Sequence, residues 1–163
     1  MAIHESVQLT TLDNGMRIVS ESTNTLETAT VGVWVQTGAR HEVEENNGIS
    51  HLLEHMAFKG TSTRTARDIA EQIENVGGHL NAYTSKEQTA YYAKVLRQDL
   101  QLAITILADI LENPTFDEEE LAKEKEVVIL ALLRLMQGFQ IMLIIVIVNL
   151  ELLIFIVLMV MAQ

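Results

Sequence analysis

Cysteine is absent from all 163 residues, which excludes disulfides and thiolate metal ligands and leaves the redox compartment unmarked. Basic side chains are scarce as well. Eleven Lys and Arg against 22 Asp and Glu give a net charge of −11, which would repel nucleic-acid phosphates and favours a basic partner or substrate. The same acidity also serves plain solubility. No charged-then-apolar segment opens the chain: Met1 to Thr11 is polar and strand-like. Neither a secretory signal nor an arginine-rich transit peptide is expected there, and a cytoplasmic or already mature start is favoured. There is no internal repeat and no low-complexity linker. The length suits one domain with a real core.

What is present is concentrated in His51-Leu52-Leu53-Glu54-His55, two histidines four residues apart in the inverted order of the zincin signature. Positions i, i+3 and i+4 share one face of a helix, so His51, Glu54 and His55 can point into one small volume. Two imidazoles at that spacing can reach one Zn²⁺, and a carboxylate beside a bound water can act as its base. The plain alternative is a solvated helix face. Context favours a helix beside a cleft: Asn46-Asn47-Gly48 offers N-cap residues, Gly60 stands where the helix would end, and Ile49, Leu52, Leu53 and Met56 form a candidate buried stripe.

A wider pattern surrounds the motif. It includes Leu12-Asp13-Asn14-Gly15, Gly38-Ala39-Arg40-His41-Glu42 and Asn47-Gly48-Ile49-Ser50 running through His51–His55 into Met56-Ala57-Phe58-Lys59-Gly60-Thr61. It continues with Glu74-Asn75-Val76-Gly77-Gly78-His79-Leu80-Asn81-Ala82-Tyr83-Thr84, Glu87-Gln88-Thr89-Ala90-Tyr91-Tyr92 and Asn113-Pro114-Thr115-Phe116. Over about residues 6 to 130 this resembles the pitrilysin and mitochondrial processing peptidase family of zinc metallopeptidases. The resemblance implies that His51 and His55 bind zinc and that Glu54 is the general base for water attacking a peptide carbonyl. It further implies that Gly78, His79, Leu80, Asn81 and Ala82 form the sheet edge on which an extended peptide lies. An ordinary edge strand with Gly77-Gly78 as its turn is the bland reading of that segment.

The resemblance also implies a third ligand, a glutamate seven positions after a supporting glutamate. Glu124 matches the supporting position, but the ligand position is occupied by Ala131, which has no donor atom. Catalytic zinc normally recruits three protein ligands, so weak binding of one zinc ion is expected unless Glu124 substitutes. The family further implies a second homologous domain or partner subunit that closes over a peptide or unfolded polypeptide. Two functions follow: a zinc-dependent metalloendopeptidase domain, incomplete as it stands, or a catalytically inactive member that binds peptides or assembles with a partner.

Charge disappears near the end of the chain. Among the 29 residues from Leu135 to Gln163 only Glu151 is charged, whereas the preceding 134 carry the other 32 Lys, Arg, Asp and Glu. The domain expectation is therefore a truncated peptidase N-terminal domain over 1–134 and an atypical apolar tail over 135–163. Residues 141–162 are long enough to span the roughly 30 Å of a bilayer core, so membrane association is one reading. A divergent core helix is another. The favoured reading is a junction from a frameshifted, truncated or joined coding sequence, because the tail begins where the family pattern stops in mid-helix. As a strand pair the tail would be aggregation-prone, with long uncharged windows and no proline.

Periodicity predicts an α+β fold, a largely antiparallel sheet with helices packed on one face, as in half a processing-peptidase-like domain. Asp13-Asn14-Gly15 marks a hairpin, and Val31, Val33 and Val35 alternate along a strand. Helices are expected over about 48–58, 65–76 and 99–112 and from Asp117, with strands near 79–84 and 89–95. Pro114 separates the last two helices, and Asp117-Glu118-Glu119-Glu120 puts acids at a positive helix end.

Overall fold

The computed structural model describes residues 7–137, 143–149 and 152–158, with side-chain surroundings for residues 7–130. Asp13-Asn14-Gly15 turns the chain between β1 (Val7–Thr11) and β2 (Arg17–Glu21), an antiparallel hairpin. Gly15 takes a φ of 84°, a left-handed value that costs glycine little, and Asn14 Oδ1 accepts from the Met16 N–H at 3.0 Å. The hairpin forms its own two-stranded sheet instead of extending the main one.

The main sheet is antiparallel and ordered β3-β5-β4, from Thr28–Val35, Thr89–Leu96 and His79–Thr84. Val33 faces Tyr91 and Ala82 faces Tyr91 from the other side, so the central strand β5 is paired along both edges. Alternation then sorts the side chains. One face presents Val31, Leu80, Ala82, Tyr91, Ala93 and Val95 to α2 (Ala66–Glu74) and α3 (Leu100–Glu112), where they meet Ile69, Ile73, Ala103, Ile106, Leu107 and Ile110. These helical positions recur at three and four residues, the period of an apolar stripe. Each buried Ile or Leu contributes about 1.5 to 3 kcal/mol through area removed from water. On the opposite face the described residues provide no such cover: Trp34 is 55% exposed and Tyr83 39%.

Two further helices pack beside this sheet. Helix α1 (Ile49–Met56) lies against β4 and α4 (Glu118–Gln137). Thr65 and Asp68 cap α2 reciprocally, Asp68 N–H donating to Thr65 Oγ1 and Thr65 N–H to Asp68 Oδ2, which fixes where that helix begins. The expected buried stripe of α1 is only partly realised. Met56 is buried and Leu52 half-buried, but Ile49 and Leu53 are 43% and 42% exposed. The neighbours of α1 cover only the side that carries the histidines, and the Ile49–Leu53 ridge faces outward.

Beyond α4, Leu143–Asn149 and Leu152–Leu158 pair as antiparallel strands β6 and β7. The rest of the apolar tail, with Glu151, lies outside the described residues, as do Met1 to Ser6. Among the described residues no helix is long and apolar enough to cross a membrane.

Candidate metal centre

Helical spacing brings His51, Glu54 and His55 onto the covered side of α1, and all three are half-buried. The two imidazoles meet edge to face, with ring centroids 4.7 Å apart and planes at 86°. Their Nε2 atoms stand 3.2 Å apart. Two nitrogens bound at about 2.0 to 2.1 Å to one tetrahedral ion stand about 3.3 to 3.4 Å from each other, so this separation fits a shared ion.

On the far side of the His55 ring, Nδ1 lies 2.7 Å from Glu124 Oε2. An ionised carboxylate only accepts, so Nδ1 carries the proton and the Nε2 lone pair is turned toward His51. Glu124, 6% exposed, is held on its other oxygen by the Lys59 ammonium. Burial alone would raise the Glu124 carboxyl, but the hydrogen bonds and charges of Lys59 and His55 outweigh it and hold the group below its ordinary value. Glu124 thus occupies a supporting place behind a histidine, not a place beside the paired nitrogens. Position 131 lies on α4 about 10 Å further along the axis and carries alanine. Among the described residues no third His, Asp or Glu joins the pair in a set able to hold a metal ion. The donor atoms present therefore fit two coordination positions of a zinc site and leave the third without a side chain.

Glu54 and His51 open onto a cavity of about 510 Å³ whose other wall is the end of β4 and its turn: Ala82, Tyr83, Thr84 and Ser85. Strand β4 is a sheet edge. Asn81 Oδ1 accepts from the Ala82 N–H at 2.8 Å, so a local side chain satisfies that edge donor. The segment sequence reasoning singled out, 78–82, thus runs along an edge that reaches the cavity holding Glu54. A side chain at Gly78 would press on Val95 and Ile73, which keeps the start of this strand close to α2. Burial, with the Glu54 charge nearby, pushes the Tyr91 phenol up.

The N-terminus of α1 is built differently from the expectation. Asn46 and Asn47 do not cap it; Asn46 Oδ1 accepts from the Val43 N–H at 2.7 Å and closes the preceding 3₁₀ turn. The cap position is Gly48, at φ 90°, and it has no side chain to offer. Glu42 takes over, its two oxygens accepting from Gly48 N–H at 2.6 Å and Ser50 N–H at 2.9 Å. Neither Glu42 nor Lys59 stood out in the sequence as a functional candidate. Lys59 follows His55 by four residues, a spacing that could have flagged it, whereas Glu42 acts across an intervening 3₁₀ turn.

Known proteins match this chain over most of its length. The family described as Insulinase (Peptidase family M16) matches residues 17–136. The chain belongs to that peptidase family. A probable mitochondrial-processing peptidase beta subunit of Arabidopsis thaliana is 53% identical over 122 residues, which are 75% of this chain and 23% of that protein. The uncharacterized zinc protease YmxG of Bacillus subtilis is 57% identical over 118 residues, 72% of this chain and 29% of the relative. A protease from Helicobacter pylori superposes with a TM-score of 0.71 at 31% identity, covering 75% of this chain and 30% of that one. This M16 chain therefore spans about a quarter of the length of the curated relatives it matches.

Proposed function

We propose that the chain is the motif-bearing part of a zinc metalloendopeptidase, with His51 and His55 as metal ligands, Glu54 as general base and Glu124 as the group that orients His55. The observation that carries this reading is the Nε2 pair at 3.2 Å, with the Nδ1 of one ring held by Glu124. A zinc ion there would lower the pKa of a water to about 7 and polarise a peptide carbonyl. Glu54 would take the proton of the attacking water and return it to the departing amine. Strand β4 would bind an extended peptide through main-chain hydrogen bonds, displacing Asn81 from Ala82 N–H, and this mode reads little of the peptide's sequence. The net charge of −11 favours basic peptides.

Two points limit the isolated chain. With Ala131 at the expected ligand position, zinc is held weakly. The chain spans about a quarter of its relatives' length, and a second homologous domain or partner subunit would close over the peptide; the Arabidopsis relative is itself named as a subunit. The alternative of a catalytically inactive, peptide-binding member is favoured by the alanine at 131. The family match ends at residue 136, which supports reading the apolar segment beyond it as foreign to the peptidase domain.

Metal analysis after chelator-free purification is expected to show less than one zinc per chain, and Ala131→Glu to raise that occupancy. Stoichiometric, tightly held zinc in the unaltered chain would overturn the weak-site reading. Where cleavage of an unfolded polypeptide is measurable, Glu54→Gln lowers it by about 10² to 10⁴. Equal cleavage by both would remove Glu54 from the mechanism.

A further inference from the structure

We infer that Glu42 is a positioning residue for the metal centre: its carboxylate sets where α1 starts, and with it the rotation and depth of the helix bearing His51, Glu54 and His55. This rests on the metal reading given above. The argument begins with what α1 lacks. An eight-residue helix is too short to stand alone, and its first-turn N–H groups need acceptors. Gly48 supplies none. Glu42, reaching across from the end of the 3₁₀ turn Ala39–His41, accepts from two of these donors with separate oxygens, 2.6 Å from Gly48 N and 2.9 Å from Ser50 N. A two-point attachment fixes orientation as well as position, which a single cap bond does not.

Three further contacts make this attachment local to the site. Ser50, itself buried, is the residue before His51, and its carbonyl accepts from Thr84 Oγ1 at the end of β4. The backbone of Ser50 is therefore held on one side by Glu42 and on the other by the strand that lines the Glu54 cavity. The segment that delivers Glu42 is anchored to the same wall: Ala39 N–H donates to Ser85 O at 3.1 Å and Arg40 N–H to Lys86 O at 2.9 Å. Gly38 lies so close to this turn that a Cβ there would overlap the Ser85 carbonyl. At the other end of α1, Glu124 grips His55. The helix is thus pinned between two carboxylates from different parts of the chain, and the first turn, where His51 sits, depends on Glu42 alone for its charged anchor.

The test measures zinc affinity by competition with a chromophoric chelator, beside amide hydrogen exchange, in the full chain. Glu42→Ala is expected to weaken zinc about tenfold or more, in the range seen when groups supporting metal ligands are removed. It should also lose exchange protection at Gly48 and Ser50 while the α3 core amides stay protected. Glu42→Gln keeps one acceptor oxygen and should fall between wild type and Ala; Glu42→Asp, one methylene short, should resemble Ala. Unchanged zinc affinity in Glu42→Ala would overturn the inference, as would unchanged protection at both amides. If wild type takes up no zinc while Glu42→Ala still loses protection, the metal reading fails and the anchoring role stands.

Discussion

Lys59 shows how much a single side chain can govern at this site. Its ammonium and the His55 ring divide the two oxygens of Glu124 between them, in a pocket where that carboxylate is 6% exposed. Removing one partner of a buried charge is worse than removing both, because the survivor keeps its desolvation penalty. Lys59→Met should therefore lower stability by about 1.5 to 3 kcal/mol, the range for hydrogen bonds to charged groups, with Lys59→Arg recovering part of it. Denaturant unfolding of the three proteins checks this; equal midpoints would show the ion pair to be energetically idle. Asp109 makes a second such knot, accepting from Thr61, Thr63 and Arg64 on Oδ2 and from Asn113 on Oδ1. These bonds, that from Thr61 foremost, bring its pKa from 3.8 to about 2. A carboxyl depressed in the folded state stabilises above its unfolded pKa, and that contribution fades as pH falls from about 4 toward 2. Thermal unfolding of wild type minus that of Asp109→Asn should show this loss in that window, and Glu42 and Glu124, present in both proteins, cancel from the difference.

At the scale of elements, local rules succeeded where the determining contacts are local. The helix expected over about 65–76 is α2, Asp13-Asn14-Gly15 placed the hairpin, and the alternation of Val31, Val33 and Val35 marked β3. The three helical residues of the metal motif were legible because their meaning lies in spacing along one helix. Rules failed where distant groups decide. Asn46 and Asn47 are good capping residues, yet an anion six residues before Gly48 captures the helix start. Ile49 and Leu53 have the right periodicity for a core, but no element among the described residues covers them. The expected antiparallel sheet with helices on one face is there, but the order β3-β5-β4 and the separate pairing of the β1–β2 hairpin were not legible, because nothing in the strand sequences specifies which strands become neighbours. Where helices do meet the sheet, packing dominates: Ile106, with 0% exposure, should cost about 2 to 5 kcal/mol as Ile106→Ala. A loss under 1 kcal/mol in chemical denaturation would place the core elsewhere.

For the molecule as a whole, the balance of covered and uncovered surface is uneven. One side of the sheet is packed by helices, while Trp34 on the other remains 55% exposed, in company with half-exposed Tyr83 and with Leu9 and Val19 of the hairpin at 54% and 67%. Trp34 is the only tryptophan, so its emission reports directly on that face. It should be readily quenched by acrylamide in the isolated chain; strong protection from quencher would mean that the face is already covered.

The sheet order β3-β5-β4 also sets a timetable. Strands β4 and β5 are joined by the short Ser85–Gln88 turn, closed by Ser85 N–H on Gln88 O, and can form a hairpin in about 1 to 10 μs. Strand β3 must wait, since its partner β5 comes only after α1, α2 and β4 have been made, and such non-local pairing is slow. During synthesis at about 5 to 20 residues per second, His51 and His55 leave the ribosome seconds before Glu124 exists to orient them. Until then α1 has too few turns to hold itself together. The helix that carries His51, Glu54 and His55 is the first of the four described α-helices to be synthesised and among the last to be fixed in place, so early in the life of each chain its histidines are open to any passing metal.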